Sequence, residues 1–280
     1  VRGCTFGHLG DNSLVLSGYG PGTKNVNFDN RIENNWFHDG GEHYWHASAL
    51  FVVQSGGNLI QNNLIEHFPY NGITLSGPRR FDPGSPNRES GRLIRWEELG
   101  ERRKIEFPDT RPFLHSGENR VVANEIFRVM EKLGDGNAIY VSGTGDGNYV
   151  ARNYIHHIRG DAASAVRTDE AQWYVTFEKN VLYRTTGFGF LIKGHNHADN
   201  NFVVDQGEHF LVRNFPEAVF LSLRGGPHLD ASFSRNIYLQ SIGNEPKYYF
   251  FDSVSEKNPP LDFDGMIIDQ NLLWYSPDPR

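Results

Sequence analysis

Apolar and polar positions recur in one short frame along the chain. The segment "IQNNLIEH" (60–67) is echoed by "IENNWFHD" (32–39), "VANEIF" (122–127), "VARNYIHH" (150–157), "FEKNVLYR" (177–184), "ADNNFVVD" (198–205), "FSRNIYLQ" (233–240) and "IDQNLLWY" (268–275). The shared unit is apolar-x-x-Asn-x-apolar, and its asparagines are Asn35, Asn63, Asn124, Asn153, Asn180, Asn201, Asn236 and Asn271. The opening "VRGCTF" fits the frame with Cys4 in the asparagine place. Some ten to fifteen residues after each asparagine comes a second apolar run of the "GITLSG" type (72–77). Alternation is short, β-branched and aromatic residues dominate, and Gly or Asn interrupts every ten residues or so, which argues for strands and against helices.

A repeat of twenty to thirty-five residues with two or three short strands per unit predicts a solenoid. The fold class expected is all-β: a right-handed parallel β-helix of about nine rungs. At the spacing of neighbouring strands, nine rungs make a rod about 43 Å long. The asparagines are expected to stack as a hydrogen-bonded ladder at one bend, where Asn suits a left-handed backbone conformation. One segment, 78–118, breaks the repeat; it is rich in Arg, Glu and Pro, carries Trp96, and reads as an inserted loop region that either walls a groove or projects into solvent. The whole chain, 1–280, reads as one domain. It has no initial Met and starts within a repeat unit, as expected of part of a longer chain.

Composition narrows the function. A hydrophobic content of 38% in 280 residues supports a large core. A net charge of −7 with scattered Lys and Arg disfavours nucleic acid and anionic membranes as partners. The single cysteine, Cys4, excludes an internal disulfide and a cysteine-built metal site. No apolar run approaches the ~20 residues of a membrane span.

Aligning the second strands isolates one unusual copy. "GITLSG", "AIYVSG" (138–143), "AVRTDE" (165–170) and "GFLIKG" (189–194) match position by position. Alternation turns Ile73, Leu75, Ile139, Val141, Val166, Thr168, Phe190 and Ile192 inward. It turns Thr74, Ser76, Tyr140, Ser142, Arg167, Asp169, Leu191 and Lys193 outward. Asp169 then lies in one column with Ser142 and Lys193. Glu170 takes a place that other copies give to a turn glycine, and a Glu there gives up backbone freedom, which suggests that its side chain is wanted. His195, Trp173 and Asp146 fall in the following turns. The cluster expected is therefore Asp169, Glu170, Lys193 and His195 as catalytic groups, with Tyr140, Ser142, Arg167, Trp173 and Asp146 as substrate-binding groups. Ordinary cross-rung ion pairing is the competing explanation for Asp169 with Lys193. Asp135 and Asp161 form a second acidic set and read as turn formers. His38, His67, His156 and His157 follow the asparagine bend; their spacing is no recognised metal motif, and no metal is expected.

The rung pattern, with "NNLIEH", "GDGNAIYVSG", "NYIHH" and "HNHADNNFVVD", resembles the right-handed parallel β-helix proteins of the pectin-lyase-like superfamily. It looks most like the β-helix-repeat glycoside hydrolases, and the likeness covers the chain outside 78–118. That resemblance implies a catalytic Asp at a strand end, which matches Asp169, and a second carboxylate on the following rung. Here that place reads Lys193-Gly194-His195, a departure from the pattern. The resemblance further implies a carbohydrate-active protein that is secreted, periplasmic or at a cell surface, with a polysaccharide or oligosaccharide as substrate and no cofactor. Two rival functions remain open. One is a polysaccharide lyase, in which Arg167 and Lys193 neutralise a uronate, His195 or Tyr140 serves as base, and Ca²⁺ is a possible cofactor. The other is a carbohydrate-binding solenoid without catalysis.

Overall fold

A computed structural model describes residues 1–19, 24–77, 113–160, 163–169, 172–207, 219–223, 228–242, 245–251 and 262–276. In chain order the strands are β1 (Thr5–Gly7) and β2 (Leu14–Ser17); β3 (Arg31–Glu33), β4 (Trp36–His38) and β5 (Leu50–Val53); β6 (Leu59–Gln61), β7 (Leu64–Glu66) and β8 (Ile73–Ser76). They continue with β9 (Arg120–Val122), β10 (Glu125–Phe127) and β11 (Asn137–Ser142); β12 (Tyr149–Ala151), β13 (Tyr154–Ile158) and β14 (Ser164–Asp169); β15 (Thr176–Glu178), β16 (Val181–Thr185) and β17 (Phe188–Ile192). The last are β18 (His197–Asp199), β19 (Phe202–Val204), β20 (Val219–Leu223), β21 (Ile237–Gln240), β22 (Lys247–Phe251) and β23 (Leu272–Tyr275).

From β3 to β20 each strand pairs in parallel with the third one along, so each turn of chain adds one strand to each of three sheets; beyond β20 the described strands β21, β22 and β23 add to two of them. A nine-stranded sheet runs from β1 to β23, an eight-stranded sheet from β2 to β22, and a six-stranded sheet from β3 to β18. This is the expected parallel β-helix. The frame found in the sequence is the bend between the six- and nine-stranded sheets: the asparagine sits just before each strand of the latter.

The ladder forms as read. Asn35 Nδ2 donates to Asn63 Oδ1 at 2.9 Å, Asn63 to Asn124 at 2.9 Å, Asn124 to Asn153 at 3.0 Å, Asn153 to Asn180 at 3.0 Å, Asn180 to Asn201 at 3.0 Å and Asn201 to Asn236 at 3.1 Å. The Asn236 backbone N–H donates to Asn271 Oδ1 at 2.8 Å, and the Cys4 N–H to Asn35 Oδ1 at 3.0 Å, which puts Cys4 in the asparagine place. The reason for asparagine differs from the expectation, however. The left-handed residue is the one before it: Asn34, Asn62, Ala123, Arg152, Lys179, Asn200, Arg235 and Gln270 all have φ between 54° and 58°. Asparagine is needed because one amide both accepts and donates within a sealed bend, where an unpaired polar group is costly.

A second ladder runs five residues earlier. Asn30 Nδ2 donates to Asn58 Oδ1 at 2.8 Å, Asn58 to Asn119 at 2.7 Å, and Asn119 to Asn148 at 3.0 Å. Its mark in the sequence is Asn-x-x-x-x-Asn, as in "NLIQNN" and "NYVARN". The two ladders bracket the short strands β6, β9 and β12, closing both ends of that face.

The inward assignment holds at each position named: Ile73, Leu75, Ile139, Val141, Val166, Thr168, Phe190 and Ile192 have no exposed surface. They join one core that also holds Phe37, Ile60, Ile65, Ile126, Ile155, Phe177 and Val203. Stacking like upon like along the axis gives each side chain apolar contacts above and below. The outward residues of the eight-stranded sheet are another matter. Thr74, Ser76, Tyr140, Ser142 and Leu191 are also buried. At those positions the face is covered, while Phe51, Arg167 and Lys193 are partly exposed. The insertion is shorter at its end than the repeat pattern suggested: Gln54 Nε2 donates to the Phe113 carbonyl at 2.9 Å, and the Gly57 N–H to the Gly117 carbonyl at 2.9 Å, so 113–118 belongs to the rod. The rest of the insertion, with Trp96, lies outside the described residues.

Candidate active site

Two columns of side chains run along the outer face of the eight-stranded sheet. Register places Phe51, Thr74, Tyr140, Arg167 and Leu191 in one, and Val53, Ser76, Ser142 and Asp169 in the other. Most of these are small or uncharged. The charge is concentrated on β14, at Arg167 and Asp169.

Asp169 is 8% exposed and gathers donors from three consecutive turns. From β11, the Tyr140 hydroxyl donates to Asp169 Oδ2 at 3.0 Å. On β14 itself, Arg167 Nη2 donates to the same oxygen at 2.7 Å, the two side chains sharing a face because they are two residues apart. Just beyond β17, Lys193 Nζ forms an ion pair with Asp169 Oδ1. Thr168 Oγ1 secures the position of that lysine: it accepts the Lys193 N–H at 2.8 Å and donates to the Lys193 carbonyl at 2.9 Å. The predicted column of Asp169 and Lys193 is therefore present, and the pair is largely buried where an exposed one was the competing explanation. Three donors, two of them cationic, suit a charged carboxylate.

Arg167 ties in a second carboxylate. Its Nη1 donates to Asp135 Oδ1 at 2.5 Å. Asp135 is 83% exposed at the side chain, has φ of 53° in the turn before β11, and accepts the Tyr70 hydroxyl at its carbonyl, at 3.2 Å. Burial pulls the Arg167 pKa down, but the carboxylates of Asp169 and Asp135 outweigh it and hold the guanidinium above the ordinary arginine value. One planar fork with a carboxylate on each Nη keeps the nearest oxygens of Asp135 and Asp169 within about 7.5 Å of each other. The sequence pattern predicts a turn former at Asp135. It is one, and it also reaches the site.

The other expected residues divide. Trp173 and His195 pack together with ring centroids 4.1 Å apart, and Tyr174, which is exposed, lies edge-on to Trp173 at 6.0 Å. They form an aromatic group past the Lys193–Gly194 bend, where Gly194 has φ of 81°. Tyr140 and Ser142 are covered, at 3% and 0% exposure, so neither offers an open surface to a sugar ring. The Tyr140 ring instead supports Arg167, whose guanidinium carbon stands 5.7 Å from its centroid. Asp146 lies elsewhere, around a hollow with Asp29, His115 and Glu118. Glu170 and Asp161 lie outside the described residues.

A hollow on the same face was not foreseen. It is lined by Asn12, His46, Ser48, Phe51, Tyr70, Asn71 and Thr74, with the His46 and Tyr70 rings stacked at 4.2 Å. Tyr70 links it through Asp135 and Arg167 to Asp169. Phe51 and Thr74 come from β5 and β8, but Asn12, His46, Ser48, Tyr70 and Asn71 come from connections between strands, which carry no repeat pattern. Of the four histidines weighed for metal, His156 and His157 meet each other, Nδ1 to Nδ1 at 2.8 Å, while His67 pairs with Glu66 and Glu131.

Family models, curated proteins and solved structures were all compared with the chain, and none matches it.

Proposed function

We propose that this chain is a glycoside hydrolase that cleaves a polysaccharide or its oligosaccharides, with Asp169 as nucleophile or general base. The observation that carries the reading is the setting of Asp169. A carboxylate at a strand end, held by Tyr140, Arg167 and Lys193 from three successive turns, is fixed in direction and faces two cationic groups. A nucleophile or base for glycoside cleavage needs a fixed direction, and neighbouring cations favour the ionised form that such a group uses. The resemblance of the rung pattern to the pectin-lyase-like superfamily points the same way.

A hydrolase needs a second carboxyl group, about 5–5.5 Å from the first for retention or about 6.5–9.5 Å for inversion. Asp135, linked through the Arg167 fork and so within about 7.5 Å of Asp169, is our candidate for it. Glu170, next to Asp169 in the chain, is the alternative acid. The stacked His46 and Tyr70 rings and the exposed Tyr174 supply surfaces on which sugar rings can stack, on either side of the Asp169 cluster. No cofactor enters this mechanism.

A polysaccharide lyase is the second reading, favoured by two cations, Arg167 and Lys193, at one point of the face. They would neutralise a uronate carboxylate, with His195 or Tyr140 as base and Ca²⁺ as a possible helper. One experiment separates the readings. The chain and its Asp169→Asn variant are incubated with a panel of neutral and acidic polysaccharides, while reducing ends and ultraviolet absorbance are recorded together. The hydrolase reading expects new reducing ends without an unsaturated product, and a loss of two or more orders of magnitude in the variant. An ultraviolet-absorbing product turns the assignment to a lyase. Binding without turnover makes the chain a carbohydrate-binding solenoid, and near-full hydrolysis by a folded Asp169→Asn variant removes Asp169 from the mechanism.

A further inference from the structure

The nine-stranded sheet ends in a turn that carries imidazoles and carboxylates on its first two rungs. Register sets Gly7 of β1 opposite His38 of β4. The next residues, His8 and Asp39, then stand opposite each other, both with positive φ, at 56° and 48°. A ligating atom from each of His8, His38 and Asp39 lies within 4.8 Å of the other two. Glu42 follows on the same turn, with its Oε1 2.9 Å from His8 Nδ1, and His38 Nδ1 is 2.8 Å from Asp39 Oδ2.

Two further observations fit a site built for an occupant. Gly7 gives the His38 ring its place: a Cβ there would stand 2.3 Å from the ring's Cε1, so no larger residue fits with His38 in this position. Beside the cluster lies a hollow lined by Asp39, Gly40, Gly41, Glu42, Trp45, His67 and Glu131, among others. Two of the proposed ligands, Asp39 and Glu42, line it.

We propose that His8, His38, Asp39 and Glu42 form a binding site for a divalent transition-metal ion of the zinc class. Two imidazole nitrogens and two carboxylate oxygens are a donor set suited to Zn²⁺, whereas Mg²⁺ and Ca²⁺ prefer oxygen alone. Tetrahedral coordination at about 2.0–2.2 Å from each ligand sets ligating atoms about 3.3–3.6 Å apart, so the two imidazole–carboxylate pairs open by about half an ångström and the His8, His38 and Asp39 atoms, now within 4.8 Å of one another, draw together around the ion. His38, at the end of β4 and 15% exposed at its side chain, is the fixed ligand; His8, Asp39 and Glu42 are more exposed and adjust toward it. Bound there, the ion links the turn after β1 to the turn after β4, two segments that backbone hydrogen bonds such as Glu42 N–H to the Leu9 carbonyl, at 3.0 Å, also join. The site stands apart from Asp169, and its test is independent of any glycosidase activity.

The test uses the full chain, freed of metal with EDTA and dialysed. Zn²⁺ is titrated calorimetrically at micromolar protein, and Co²⁺ is added separately for its visible spectrum. The expected result is one equivalent of Zn²⁺ per chain, a four-coordinate Co²⁺ spectrum, a rise in melting temperature with Zn²⁺, and no response to Mg²⁺ or Ca²⁺. His8 is 73% exposed at its side chain, so His8→Ala keeps the fold, and it should weaken Zn²⁺ binding at least tenfold. Glu42→Gln should weaken it less, and His157→Ala should leave it unchanged. Absence of stoichiometric binding would overturn the assignment. So would binding that survives intact in both His8→Ala and His38→Ala, or binding abolished by His157→Ala, which would move the ion to the His156–His157 pair.

Discussion

Replacing Asn153 by Ala tests what the ladder contributes. Asn153 is 1% exposed and sits in the middle of the stack. Its Nδ2 donates to Asn180 Oδ1 and to the Val121 carbonyl, each at 3.0 Å. Its Oδ1 accepts the Asn124 backbone N–H and Asn124 Nδ2, each also at 3.0 Å. Truncation does not strand all of these partners. Asn124 Nδ2 keeps the Ile60 carbonyl, and Asn180 Oδ1 keeps the Asn153 backbone N–H. The Asn124 N–H loses its acceptor inside a dry bend. An orphaned buried donor costs about 1–3 kcal/mol and each of the three further lost bonds about 0.5–1.5 kcal/mol, so the expected destabilisation is about 2.5–7.5 kcal/mol. Asn271 provides the contrast. It ends the described ladder and is part exposed, so water replaces what Ala removes, and the same substitution there should cost about 1–2 kcal/mol. Asn153→Asp keeps the acceptor but turns the donating group into an oxygen facing Asn180 Oδ1 and the Val121 carbonyl; at neutral pH it should cost at least as much as Ala. Urea unfolding followed by tryptophan fluorescence reads all three, and hydrogen exchange at the Asn124 amide reads the orphaned group directly. Losses below about 1 kcal/mol for Asn153→Ala, or equal losses at 153 and 271, would falsify the claim that sealed amide stacking holds this bend.

Three more outcomes are expected. Arg152 is exposed with φ of 57°, a conformation that costs a non-glycine residue about 1–2 kcal/mol and that Asn tolerates better, so Arg152→Asn should raise the melting temperature; a fall would contradict the strain argument. Asp169→Asn should lower stability by about 2–4 kcal/mol, because it leaves Arg167 and Lys193 facing each other in a mostly buried place. Glu33→Gln, at an open pair 3.7 Å from Arg31, should cost under about 1 kcal/mol, and equal effects would refute the difference in burial. Hydrogen bonds from Lys179 and from the Tyr149 hydroxyl, at 2.8 Å, hold the Glu178 carboxyl below the ordinary glutamate range. A depressed carboxyl contributes stability above its unfolded pKa that is lost as pH falls through the folded value. The stability gap between the native chain and Tyr149→Phe should therefore be full at pH 7 and close below about pH 4.3; a gap constant down to pH 2 would rule out this coupling.

The sequence alone determined the solenoid, because a parallel β-helix writes its geometry into local spacing. Each rung needs an apolar residue every second position and an amide at the same bend, so "IQNNLIEH" and its seven echoes name their own places. The inward stack of Ile73, Ile139, Val166 and Phe190, and the meeting of Asp169 with Lys193, follow from the same register. The second ladder is written in the sequence too, as an asparagine five residues ahead of the first, but outside the apolar-x-x-Asn-x-apolar unit. What only the tertiary structure decided depends on groups that the repeat does not place. That the outer face carrying Ser76 and Ser142 is buried is a property of what covers it, not of strand alternation. Asp135 reaches Arg167 across a turn 32 residues away, by a side-chain conformation that spacing does not encode. The positive φ belongs to Arg152 and Lys179, and not to the asparagines beside them, because the backbone path of the bend sets the conformation whatever residue occupies it. His8 and His38 meet because Gly7 leaves room for a ring, a packing relation between rungs that no single stretch of chain contains.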